Sequence, residues 1–222
     1  MNAQRILFRI VIMCLLTVPQ VVSAVSIDQS YDAQAAGSYM GINIEATQEI
    51  AQTFTVGIPG PLVGVDLQVG KWDFDLPTED LLVDIRPTTG GVPVPDDSLA
   101  LASIAIPVTD IPLLSQVWAT GTFTFVDLSG FSITVTPGEM LAIALHTTSP
   151  TGFYGWVDQI EFLGPTYPGG AQYSRRFSPD WAETVGWDAG FRTYVAPEPA
   201  TLTMMCIGLV GIAFGKHRKR PY

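Results

Sequence analysis

The chain has 222 residues, room for one domain plus targeting segments; 47% of them are hydrophobic and only 14% charged, and 21 Gly and 17 Pro favour a β-rich globular body over disorder. The net charge is −10, and all 21 acidic residues lie between Asp28 and Glu198, where Lys71, Arg86, Arg175, Arg176 and Arg192 are the only bases. Such a body repels phosphate, which excludes nucleic acid as a partner. The two cysteines, Cys14 and Cys206, sit in terminal apolar segments, so the body has neither a disulfide nor a thiolate metal site.

Residues 1–24 have the order of a secretory signal: Arg5 and Arg9, then an apolar run over 10–18, then Val22-Ser23-Ala24 at the positions a signal peptidase reads. Cleavage is expected between Ala24 and Val25, after passage through the Sec machinery. An uncleaved anchor is the alternative, although the apolar run is short for a span.

Residues 25–50 are polar and predict one edge strand at most. From Ala51 the period is two: Phe54 and Val56 point one way and Thr53 and Thr55 the other. Val63, Val65, Leu67 and Val69 then alternate with small or polar residues after the turn Ile58-Pro59-Gly60-Pro61. Further strands are predicted over 81–86, 99–106, 121–128, 139–146, 153–157, 171–177 and 190–195. The run 140–145 is continuously apolar, and its length and the preceding Pro137-Gly138 favour a buried strand over a helix. No amphipathic helix stands out before residue 196. The expected fold is therefore all-β, an antiparallel two-sheet sandwich of the jelly-roll kind over 25–195, flanked by an N-terminal signal helix and a C-terminal membrane helix.

The chemistry available to the body is limited. His146 and His217 are the only histidines, so there is no triad and no familiar transition-metal cluster, and no phosphate-binding glycine motif is present. No cofactor and no catalytic residue is expected, and an enzyme would have to work with carboxylates alone. Asp73, Asp75, Glu79 and Asp80, and the pair Asp96-Asp97, are weak calcium candidates, and solvated acidic loops are the favoured reading. Tyr154, Trp156, Trp181 and Trp187 are candidates for stacking on sugar rings, with core packing as the alternative. Trp72 and Trp118 read as packing residues.

The most specific signal is the last stretch, 196–222. Pro197-Glu198-Pro199 holds the backbone extended, an apolar helix is predicted over 202–214, and a basic cluster follows at Lys216, Arg218, Lys219 and Arg220. Thirteen residues of helix reach about 20 Å against a hydrocarbon core of about 30 Å, so this is a minimal span with a cytoplasmic basic stop.

These three parts in this order resemble the PEP-CTERM sorting domain of exported proteins of Gram-negative bacteria. The resemblance implies an exosortase-like membrane protease as partner, a transient stay in the inner membrane and processing near Pro197-Glu198-Pro199. Delivery to the cell surface or exterior would follow, in bacteria that make exopolysaccharide. The body is also loosely similar to ectodomains that precede such tails, through Gln52-x-Phe54-Thr55-Val56, the loop from Thr88 to Pro93, and Phe191-Arg192-Thr193-Tyr194-Val195. That similarity implies a shared sandwich and no activity. A surface or matrix protein without catalysis is the function expected, with a carbohydrate- or calcium-binding module as the alternative and a polysaccharide-active enzyme third.

Overall fold

The computed structural model describes residues 24–35, 39–164 and 166–196. In chain order, β1 (Ser26–Tyr31), β2 (Tyr39–Ile44), β3 (Gln48–Thr55), β4 (Gly60–Leu67), β5 (Val69–Lys71), β6 (Leu81–Thr89), β7 (Val92–Pro93) and β8 (Ala102–Ile106) precede one short helix, α1 (Leu114–Thr120). After it come β9 (Thr124–Asp127), β10 (Thr134–Val135), β11 (Met140–Thr147), β12 (Tyr154–Ile160), β13 (Gln172–Arg176), β14 (Ala182–Glu183), β15 (Trp187–Ala189) and β16 (Phe191–Val195). The chain is all-β in character, and every segment that alternation marks as a strand contains one.

Hydrogen bonding divides the strands into three antiparallel sheets, a correction to the two expected. The first runs β1–β16–β4, with β9 and β10 both on the far edge of β4. The second runs β14–β13–β3–β11–β6, with β7 and β8 beyond β6. The third is β12 with β2 on one side and β5 and β15 on the other.

The third sheet exists because two stretches of chain leave the first. β4 continues through Gln68 into β5, and β15 continues through Gly190 into β16. At this corner Gln68 N donates to Gly190 O (3.1 Å), Gly190 N to Val157 O (2.8 Å) and Val157 N to Gln68 O (2.8 Å). The buried Gln68 side chain is pinned, its Oε1 accepting from Ala33 N (3.0 Å) and its Nε2 donating to Asp32 Oδ1 (2.8 Å). A Cβ at Gly190 would collide with Gln68 Oε1, so only glycine lets the two backbones cross here.

One hydrophobic cluster joins the sheets. On β3 Ile50 and Phe54 point inward; β11 adds Leu141, Ile143 and Leu145, and β6 adds Leu81, Val83 and Ile85. Leu62, Val65, Leu67 and Phe191 of the first sheet belong to the same cluster, with the Phe54 and Phe191 ring centroids 6.0 Å apart. The apolar run in β11 is thus a strand buried on both faces, since Ala142 and Ala144 on its other side are fully covered too. Val63 departs from the expected alternation. Against β16, β4 advances two residues (Gly64 to Leu62) while its partner advances one, a bulge that puts Leu62 in the core and leaves Val63 half-buried.

Helix α1 was not expected. Only Leu114 and Val117 are buried on it, and seven residues are too few to show a period. It lies over Gly41, Gly70 and Gly155 of three adjacent strands, and a Cβ at any of them would press on Leu114. It stops at Gly121, whose left-handed backbone (φ 65°) lets its N–H close onto Val117 O at 2.8 Å. Trp72 and Trp118 pack edge to face beside it (5.5 Å), as their reading as packing residues requires. Among the described residues no helix is long and apolar enough to cross a membrane; the expected signal helix and the helix over 202–214 lie outside them.

Candidate functional site

Two of the four aromatic candidates are core residues. Tyr154 and Trp156 are fully buried, the phenol donating to Glu79 O (2.6 Å) and the indole to Gly190 O (2.9 Å), so neither offers a face to a sugar. Burial also raises the Tyr154 pKa, with Asp80 and Glu79 adding to the effect. Trp187 is half-buried. Trp181 lines a surface cleft with Asp180 and Pro93, is 9% exposed, and its buried Nε1 has no hydrogen-bond partner.

The calcium candidates are engaged elsewhere. Asp73 caps the start of α1, accepting from Ser115 N (3.1 Å) and Ser115 Oγ (2.5 Å), and Asp80 accepts from Val108 N (3.0 Å). Asp75 lines a separate cleft. Among the described residues no three His, Cys, Asp or Glu side chains converge as a metal site would need.

The outer face of the second sheet carries a charged chain of contacts. Arg86, fully buried, pairs with Asp84 (2.5 Å) and Asp97 (2.7 Å), while Arg175 pairs with Asp97 (2.6 Å) and Glu49 (2.7 Å). Both guanidinium groups also donate to the loop above them, Arg86 to Val94 O (3.3 Å) and Arg175 to Pro95 O (2.7 Å). Arg175 further stacks on Trp181 at 4.8 Å. Burial alone would raise the Asp84 carboxyl, but hydrogen bonds from His146 and Ser103 and the Arg86 charge hold it below its ordinary value. The arrangement fastens the 94–97 loop onto the sheet.

A second polar cluster lies between the sheets. Gln52 donates to Asp188 Oδ1 (2.7 Å) and accepts from Ala189 N (2.8 Å), while Asp188 Oδ2 accepts from Tyr167 N (3.0 Å). Burial lifts Asp188 to about 6. Asp158 is fully enclosed and pushed up to about 7 by the same desolvation; the Gln172 amide beside it lowers the value somewhat, yet lies out of line for a full hydrogen bond to either oxygen.

The body reaches its end firmly held. β16 lies between β1 and β4, Val195 is fully buried, and Ala196 N still donates to Pro61 O at 2.9 Å. Gly60, at φ 138°, gives way to the Ala196 carbonyl, which would stand 2.6 Å from a Cβ there. At the other end, exposed Ala24 and Val25 directly precede β1, which pairs with β16 from Ser26 opposite Val195. Pro197, Glu198, Pro199 and the basic cluster at Lys216, Arg218, Lys219 and Arg220 lie outside the described residues.

From residue 195 onward the sequence matches a known family: the profile of the PEP-CTERM protein-sorting motif covers residues 195–219. The chain carries a PEP-CTERM protein-sorting motif. The PEP-CTERM match makes it a protein sorted by an exosortase-type system, exported and held at the membrane as a sorting intermediate. The motif begins at Val195, the last residue of β16, so sheet and sorting signal adjoin with no linker between them. No curated protein matches the chain.

Sequence reading missed the Glu49–Arg175–Asp97–Arg86 chain, because its members are up to 126 positions apart and no local spacing ties them. The Asp188–Gln52 bond leaves only a trace in the sequence, where Gln52 and Trp187, the neighbour of Asp188, both stand out but nothing pairs them.

Proposed function

We propose that the protein is a non-enzymatic envelope or matrix protein. In this reading 1–24 is removed as a signal peptide, 25–195 is a sandwich ectodomain of jelly-roll-like wrapping, and 196–222 is the sorting segment. Processing at Pro197-Glu198-Pro199 then frees the body to the cell surface or exterior, where it associates with exopolysaccharide. The observation that carries the proposal is the PEP-CTERM match starting where the sheet ends. The alternation of successive strands between opposed sheets, β3 to β4 and β10 to β11, supports the jelly-roll wrapping. The basic cluster serves as the cytoplasmic stop.

The test is intact mass of the protein recovered from separate cell fractions, with and without residues 197–199. The expected product of the parent chain begins at Val25 and lacks residues 202–222, and the deletion leaves the tail in place. Full-length tail in both would remove the processing step and leave a plain anchor.

A further inference from the structure

Three surface clefts adjoin one another beside the second sheet. The middle one, about 440 Å³, is lined by Thr47, Glu49, Asp97, Arg175 and Phe177. The second, about 350 Å³, shares Ala46 and Thr47 with it and runs on to Asp75, Thr151 and Phe153. The third, about 340 Å³, holds Trp181, Asp180 and Thr89. It meets the middle cleft across Arg175, whose guanidinium bonds Pro95 O and stacks on Trp181, two residues of the third cleft. Their succession suits a chain-like ligand better than a single small molecule.

Phe177, in the middle cleft, is costly for the fold to keep. Its side chain is 80% exposed, and it is one of two non-glycine residues with a left-handed backbone among those described (φ 53°). A bulky residue that contributes neither burial nor a relaxed backbone is held for another reason. The ring is braced: Arg176 lies 5.4 Å from its centroid and is itself paired with Glu45 (2.7 Å), and Phe177 N donates to Thr47 O (3.3 Å).

The charges choose the ligand class. Among the described residues Arg175 is the one cation lining the three clefts, and it is already paired with Glu49 and Asp97; Arg176, against the Phe177 ring, is paired with Glu45. Carboxylates outnumber it, and Thr47, Ser178, Thr151 and Thr89 add hydroxyls. That lining accepts hydrogen bonds from hydroxyl groups and repels an acidic polymer. We propose that the three clefts form one groove for a linear, uncharged polysaccharide, with Phe177 as the stacking platform and Asp97 and Thr47 as polar contacts. Ring C–H groups meet the negative π face of Phe177, and hydroxyls donate to the carboxylates.

This rests on the polysaccharide association proposed above and names where it occurs. The experiment is affinity electrophoresis of the full chain in detergent through gels containing a soluble neutral glucan or an acidic polyuronate. The parent chain should be retarded by the glucan and not by the polyuronate. Phe177→Gly relieves the backbone strain, so it should lower the affinity at least tenfold while the melting temperature stays level or rises. Thr47→Val keeps the shape of the side chain, loses the hydroxyl that lines the middle and second clefts, and should weaken binding several-fold. Retardation by glucan that neither variant alters would overturn the groove and leave the association intact. Retardation by the polyuronate alone would overturn the charge assignment. No retardation by either polymer would remove groove and association together, while the sorting reading stands on its separate mass measurement.

Discussion

Asp158 keeps its proton at a pH where an exposed aspartate has lost it. In the unfolded chain the group titrates near 3.9, and in the fold at about 7, so the folded form binds the proton more tightly. Below about pH 4 both forms are protonated and nothing is lost. As pH rises from there to about 7, the unfolded chain releases a proton that the fold retains, and stability falls by about 1.4 kcal/mol per unit, about 4 kcal/mol in all. Asp188, lifted to about 6 by burial, pulls in the same direction; burial, with the Asp188 and Asp158 charges adding to it, raises the Tyr31 hydroxyl above its ordinary value. Asp158→Asn mimics the neutral acid. Urea titrations at a series of pH values should show the variant gaining about 4 kcal/mol on the parent between pH 4 and pH 8; a constant difference would mean that Asp158 is ionised throughout. Arg86 makes the opposite case, a buried charge whose partners must stay. Arg86→Met leaves the enclosed Asp84 without its guanidinium partner and should cost about 3–5 kcal/mol in the same titration, whereas removing a surface arginine costs little. Neither residue announces itself in the sequence, because burial of a polar side chain is decided by strands far away in the chain. Asp158 sits in a strand buried on both faces, and only the fold puts Gln172 beside it.

At the scale of elements, the two-residue period was enough to place most strands, since one buried face imposes it directly. What the period cannot carry is the corner at Gln68 and Gly190, where continuous strands change sheets and make a third sheet out of an expected second. Its only trace is a glycine between two strands. Gly190→Ala should lower the melting temperature by several degrees, because Gln68 is tied to Ala33 and Asp32 and cannot retreat from the new methyl group. Thermal melting followed by near-UV circular dichroism reads this, and an unchanged midpoint would mean the corner relaxes freely. In the core proper, Phe54→Ala opens a cavity between β3 and β16 and should cost about 3–5 kcal/mol. Helix α1 was invisible for a different reason. It is held by what is absent, the side chains of Gly41, Gly70 and Gly155 on three strands, and no local pattern records a shared absence.

At the scale of the whole molecule, the sorting motif was fully legible because it is local and linear: a proline-bracketed acidic tripeptide, an apolar run and a basic end need no folding to be recognised. The groove was not, since Phe177, Asp97 and Thr47 come together only through sheet pairing. The placement of β16 has one more consequence, and it is mechanical. Whatever holds the protein beyond Ala196 pulls along the axis of a central strand, against the antiparallel ladders to β1 and β4 at once. Ladder bonds lie perpendicular to that pull, so they carry the load together in shear and do not peel one at a time. A body tethered through this end should withstand drag at a surface far better than it would if hung from an edge strand.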